Sequence, residues 1–488
     1  MIWAGIVLLL TVVLGGGTKA GFLGDAILQL IAVPLLIGSI FSLRWSRMGA
    51  SARIAVALSV AFVGVGLSQL LPLMPSVALG ADNGAPSSAI SLSPRATLLA
   101  LLSGLPAFAI FLVTLGLSLR QRWQLTRLLL GIGAVSILLG LLQVAEGPSS
   151  ALRLYAMTNK TEAVGFFANR NHFAAFAYVI LVLGAASAVE AVRRTGVAPA
   201  GGRFASSDAV RIILAMAGLA ILLGAQIFAR SRAGLALTMP ALAGIAILAW
   251  RSHAGRGWSF TAPLAIAALL GVLLTTQFAL FRLFERFGTD PLADARIPFA
   301  HTTLEAARAH VPFGAGLGTF VEVYGAFERP ADALRDTFAN RAHNDFLELW
   351  LETGVPGAVL IVGFVAWFLT ASVAAWRAPR AVHASIDPLL ARASSLIVLL
   401  LLLHSVVDYP LRTAALLSVF ALACGFLVPP RGEGPDAAGA EDLQRVAFSR
   451  CPPERAKPWG DGTVWPEEWR APRKSLEQPG ANDVAPVR

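Results

Sequence analysis

Charge is what this chain has least of. Only 14% of its 488 residues are Asp, Glu, Lys or Arg, and 56% are hydrophobic. A soluble globular chain carries about 25% charged residues, so the deficit excludes an ordinary soluble domain before any motif is read. Cysteine is scarce too: Cys424 sits in an apolar run and Cys451 in a polar tail, with no CxxC. That excludes a disulfide framework and a thiolate redox or metal centre. There is no DxD and no HExxH, and His343 with Asp345 is not a useful ligand pair on a helix, so no metal site is expected. The formal net charge of +10 is mostly arginine, but no basic run is interleaved with aromatics. Nucleic acid is therefore not an expected partner. The apolar N-terminus lacks a basic n-region and reads as a first span rather than a cleaved signal peptide.

Long apolar runs are what the chain has instead. About twelve segments are apolar over a length suited to a bilayer: 2–16, 21–43, 54–74, 96–119, 128–145, 172–192, 210–229, 233–250, 258–281, 355–376, 388–409 and 413–428. The expected fold class is an all-α integral membrane protein of about twelve transmembrane helices, residues 1–428 forming the polytopic domain. Arginine sets the orientation. With the N-terminus inside, the cytoplasmic connections carry Arg44, Arg47 and Arg53, then Arg120, Arg122 and Arg127, then Arg193, Arg194 and Arg203, then Arg251 and Arg256, then Arg377 and Arg380. The opposite connections carry far fewer, a positive-inside pattern.

Three regions are polar. Residues 146–171 form one outer loop and residues 282–354 a much longer one. The tail, 429–488, is rich in Pro, Gly and charge and is expected to be cytoplasmic and disordered. A long ordered loop is usually functional. Ile297, Leu304 and Ala307 recur at helical spacing between 295 and 310, and HNDFLELWLE, 343–352, reads as a second helix stopped by Gly354 and Pro356. GAGLG, 314–318, reads as a tight turn; it lacks the βαβ setting of a phosphate loop.

The candidate reactive groups gather at the outer ends of spans. Arg170, Asn171 and His172 open the sixth. Arg230, Ser231 and Arg232 join the seventh to the eighth. His404 and Asp408 lie four residues apart near the end of the eleventh, and Arg296 and His343 lie in the long loop. Ionisable groups at a membrane are costly and point to function. Each also has a structural reading: Arg230 and Arg232 as snorkelling anchors, His404 with Asp408 as a helix–helix pair, His172 as a helix-start hydrogen-bonding group, the HND start as capping, and Asp25 as structural. Taken together, arginine offers a permanently charged fork for phosphate oxygens, and histidine accepts a hydroxyl proton near neutral pH. That chemistry suits glycan transfer from a polyprenyl diphosphate carrier. The energy resides in the diphosphate bond, so no cofactor is expected.

These residues fall in segments that resemble a known family. GFFANRNHFAAF (165–176), ARSRAG (229–234), the run from Arg296 through PFGAGLGTF (312–320), HNDFLELWLETGVPG (343–357) and HSVVDYPLR (404–412) resemble, in order, the O-antigen ligase and polymerase family. The resemblance covers about 165–412. It implies a GT-C-like fold with a partly helical periplasmic loop, in the bacterial inner membrane. It also implies an inverting, metal-independent transfer of glycan from undecaprenyl diphosphate at the periplasmic face. The acceptor would be lipid A–core, a growing polysaccharide or, in relatives, a protein hydroxyl. Position by position, it implies that Arg232 and Arg296 hold the diphosphate, with Arg286 and Arg308 as neighbouring alternatives to Arg296. His343 would activate the acceptor, with Asn344 in support beside Arg230, Arg170, Asn171, His172 and Asp408. A lipid-glycan transporter or flippase, or a non-catalytic membrane scaffold, would also fit twelve spans. Transporters tend to bind near the bilayer midplane, whereas the groups here sit at the edge.

Overall fold

The computed structural model describes residues 1–18, 23–43, 45–73, 89–156, 159–195, 206–253, 291–330, 338–378 and 388–430. All of these belong to one unit, Met1–Ala438. The second unit, Gly439–Arg488, and the tail reading for 431–488 lie outside the described residues, as does the span expected at 258–281.

Among the described residues there are fourteen α-helices and no strand. They are α1 (Ile2–Leu14), α2 (Leu23–Ser42), α3 (Ala50–Ser68), α4 (Pro94–Ser103), α5 (Leu105–Leu115), α6 (Leu119–Glu146), α7 (Arg170–Thr195), α8 (Ser206–Ala229), α9 (Arg232–His253), α10 (Pro291–Ala309), α11 (Phe320–Phe327), α12 (Asp345–Arg377), α13 (Pro388–His404) and α14 (Ala414–Leu427). Seven helical stretches are long and apolar enough to cross a membrane, α4 and α5 counting as one, and four shorter apolar helices accompany them. The described part is all-helical, and the protein is a multi-pass membrane protein. These eleven coincide with eleven of the twelve apolar segments.

Two boundaries differ instructively from the expectation. The segment 96–119 is broken at Gly104 into α4 and α5, with Pro106 opening the second piece. Proline lacks the N–H an unbroken helix needs but is tolerated in a first turn. Helix α6 begins at Leu119, so Arg120, Arg122 and Arg127 belong to the helix rather than to a loop. Ser118 and Gln121 form a reciprocal capping box there, which fixes the start.

Helix α7 is the axis of the bundle, its side chains buried from His172 to Leu183. Glycine lets its neighbours approach: a Cβ added at Gly133 would press on Ile180, at Gly140 on Phe173, and at Gly234 on Ala174. Small residues at such crossings are the usual means of close packing between helices in lipid.

The long polar loop has its own small core. Phe299, Ala306 and Ala307 of α10, Phe320, Val323 and Tyr324 of α11, and Ala339, Ala342 and Leu351 pack together, separate from the main cluster. A buried glutamine ties this cap to the N-terminal helices. Gln69 Nε2 donates to the carbonyls of Phe313 (3.1 Å) and Glu352 (2.7 Å), and its Oε1 accepts from Leu317 N (2.9 Å). The GAGLG stretch is a turn packed against α12. Ala315 N and Gly316 N donate to the carbonyls of Leu351 and Glu352 at 2.9 and 3.0 Å. Its N–H groups are thus spent inside the protein, which leaves no phosphate cradle. Gly314 has φ 79°, and a side chain there would collide with the Glu352 carbonyl. The first helical stretch of α12 ends at Gly354 as expected, where the backbone is non-helical (φ 56°, ψ −144°), and a second stretch follows across the kink; Val355 N donates to Pro312 O at 2.8 Å.

Candidate functional site

His343 stands immediately before α12. Asn344 is the N-cap: its side-chain oxygen accepts from Phe346 N and Leu347 N at 3.0 and 3.1 Å, the geometry a helix start needs. So capping falls to Asn344, and His343 is left to point elsewhere. Its backbone has φ 49°. Among the described residues the only other non-glycine with positive φ is Arg230, at 50°. Such backbone costs of order 1–3 kcal/mol and gathers at functional sites; here both cases fall on residues singled out by sequence.

His343 Nδ1 lies 2.9 Å from Asp408 Oδ1, with Asp408 fully buried and the His343 side chain 17% exposed. Asp408 is reached through a tight turn, its N–H donating to His404 O at 2.9 Å. The carboxylate hydrogen-bonds His343 rather than His404, although its charge still acts on His404. His404 Nδ1 instead lies 3.0 Å from Tyr178 OH. The other Asp408 oxygen faces the fully buried His172, whose Nε2 is 4.0 Å away, beyond a direct hydrogen bond. Tyr409 lies edge-on to both His172 (4.9 Å) and His343 (5.0 Å), and its hydroxyl accepts from Asn169 Nδ2 at 3.3 Å.

Beneath His343 lies a buried ion network that sequence reading missed. Arg341 Nη1 donates to Glu348 Oε1 at 2.8 Å. Arg412 Nη1 donates to Glu352 Oε2 at 2.6 Å, and its guanidinium reaches Asp345 at 3.4 Å and Glu348 at 3.5 Å. Burial alone would lower the Arg412 pKa, but the carboxylates of Glu348, Glu352 and Asp345 raise it above the ordinary arginine value. Ser405 Oγ donates to Asp345 Oδ2 at 2.7 Å, and Asp345 N donates to Ser405 O at 2.9 Å. The segment 405–412, which carries Asp408, is thereby locked to the start of α12, which follows His343. A signal for this was available: Asp345, Glu348 and Glu352 fall on one face at helical spacing, and buried carboxylates require cationic partners.

The other sequence candidates are distributed around this cluster. Arg296 is half-buried on α10, and its charge acts on His404. Phe299, one turn further along α10, stacks on the His343 ring. Arg230 is exposed in the turn before α9, and Arg232 is half-buried as the first residue of α9. That turn is held to the first turns of α7, since Gln226 Nε2 donates to Ala174 O at 2.8 Å and Gly234 packs on Ala174. Arg170 is engaged by Glu162 at 2.9 Å. Asn171 donates its N–H to Asn169 Oδ1 at 2.8 Å. His343, His172, His404, Asp408 and Arg296 therefore form one cluster, with Arg230 and Arg232 on a neighbouring helix start.

A bundle of apolar helices with a polar cap and a His–Asp pair at one end defines a multi-pass membrane protein. Comparison with known families adds a likeness: residues 217–362 match the family model described as O-Antigen ligase. The match includes Arg230, Arg232, Arg296 and His343; Asp408, which meets His343, lies beyond it. No curated protein matches the chain.

Proposed function

We propose that this protein is an inverting glycosyltransferase. It moves a glycan from undecaprenyl diphosphate to an acceptor hydroxyl, on lipid A–core or a growing polysaccharide, at the periplasmic face of the bacterial inner membrane. The observation that carries this reading is the 2.9 Å contact between His343 Nδ1 and Asp408 at a partly exposed position. With Asp408 ionised, Nδ1 holds the proton and Nε2 presents its lone pair outward. His343 Nε2 takes the acceptor hydroxyl proton as that oxygen bonds to the anomeric carbon. The bond from that carbon to the diphosphate oxygen breaks, and its electron pair leaves with the diphosphate. Arg232 and Arg296 meet the departing charge, a task for which guanidinium groups suffice without a metal. Helices α7, α9 and α12 all begin at this end of the bundle, and their N-terminal dipoles favour an anion there.

The test uses the full-length protein in phospholipid nanodiscs with undecaprenyl-diphosphate-linked glycan and lipid A–core. The expected result is donor consumption by the parent and consumption slowed by about 10²-fold or more in His343→Ala. Modified lipid A–core would mark a ligase, and longer lipid-linked chains a polymerase. Donor carried across a vesicle membrane with its diphosphate bond intact would instead make the protein a transporter and overturn the proposal.

A further inference from the structure

The His343 ring is held on three sides. Asp408 takes Nδ1 at 2.9 Å, and Tyr409 stands edge-on at 5.0 Å and 71°. Phe299 lies nearly parallel to the ring, with centroids 6.1 Å apart and 20° between planes. Both separations fall within the range of productive aromatic contacts. Phe299 is itself fixed. It is 2% exposed, meets Tyr324 edge-to-face at 5.7 Å, and its carbonyl accepts from Thr303 Oγ at 2.6 Å. Tyr324 in turn stacks on Phe320 at 5.2 Å. An unbroken aromatic row thus runs from the cap core onto the imidazole face.

Asp408 alone cannot set the ring plane. A single hydrogen bond to Nδ1 leaves rotation about the Nδ1–Oδ1 line, and His343 precedes its helix, with no helical turn around it. A face-on contact removes that freedom and aims Nε2 along one direction. The same face acts on charge. When His343 takes up the acceptor proton it becomes a cation, and an aromatic face within about 6 Å attracts a cation. The contact is therefore stronger in the transition state than before it, the condition for raising kcat rather than affinity. Phe299 also follows Arg296 by three residues on α10. One helix turn would then carry both a diphosphate-holding arginine and the group that aims the base.

We infer that Phe299 is a positioning residue for the transfer reaction, fixing the plane of His343 and coupling it to the Arg296 turn. The inference rests on the reading of His343 as the base. The experiment measures loss of undecaprenyl-diphosphate-linked glycan by full-length protein in nanodiscs, a readout that holds for either acceptor. It compares parent, Phe299→Leu, Phe299→Tyr and His343→Ala. Leucine fills the site with apolar volume but has no face to stack; tyrosine keeps the face. Phe299→Leu is expected to lose about 3- to 10-fold in the kcat of the folded protein with the donor KM unchanged. Phe299→Tyr is expected to stay within about 2-fold of the parent. A Phe299→Leu enzyme as fast as the parent overturns the inference. An equal loss in both variants, or a loss confined to KM, reduces Phe299 to packing and overturns it as well. If His343→Ala is slowed as expected and Phe299→Leu is normal, only the positioning role fails. If His343→Ala still consumes donor at the parental rate, the base reading itself fails.

Discussion

Buried arginine serves opposite purposes at the two ends of the bundle. At the end where α5, α12 and α14 finish, Arg122 donates to Val428 O at 2.6 Å and Thr114 O at 3.2 Å. Arg392 donates to Ala375 O at 3.0 Å and Ala378 O at 2.9 Å. Both are almost completely buried, and their partners are the last carbonyls of helices, where the dipole is negative. These arginines are fasteners. At the other end, where α7, α9 and α12 begin, Arg341 and Arg412 meet carboxylates. Arg296 and Arg232 keep part of their surface exposed beside the histidine cluster. Helix direction explains the difference. Helix ends already offer cations a partner, whereas helix starts favour anions, so arginines placed there need carboxylates or an anionic substrate.

If the comparison holds, substitutions at the two ends separate rate from stability. The largest effect is expected at His343: His343→Ala should lower kcat by about 10²- to 10⁴-fold, the usual worth of a general base, with its melting temperature unchanged. Loss of melting temperature instead would make His343 another fastener. Next, Arg412→Met should cost about 3–5 kcal/mol, because Glu352 would be left buried without its cation while Glu348 keeps only Arg341. Chemical denaturation would read this, and a variant as stable as the parent would dissolve the network as a structural element. Asp408→Asn should lower kcat about 10- to 100-fold, the worth of one charge-assisted hydrogen bond, as measured by donor consumption. Arg122→Ala should destabilise by about 2 kcal/mol through its unpartnered carbonyls while the kcat of the folded fraction stays parental. A fall in kcat would break the division between the two ends. Smallest, Asn344→Ala should cost about 1 kcal/mol as a lost N-cap, visible in thermal unfolding.

Much of the site could be read from sequence, because its residues break local rules. Arg230 and Arg232 interrupt the positive-inside pattern, and His343 opens a helix beside an obvious cap. Other members obey local rules and so gave no signal. Phe299 is one aromatic among 27 phenylalanines. Tyr178 looks like an ordinary residue of an apolar span. Gln69 acts across more than two hundred residues of sequence, on Phe313, Leu317 and Glu352. His404 and Asp408 misled in a different way: four-residue spacing made them a pair, yet the chain leaves the helix at His404 and the carboxylate swings to His343.

By itself the sequence determined the class of protein and the helices, and it pointed to the stretch of chain proposed to carry the chemistry. These follow from apolar length, arginine placement and helix-start residues, all of which act over a few turns of chain. Only the tertiary structure decided which carboxylate meets His343, which arginines are fasteners and which stand by the site, and what holds the base in plane. Those outcomes depend on the directions in which distant helices run and on which ends they bring together. Burial enforces the result, since a charge or ring nitrogen removed from water must find its partner wherever the fold supplies one.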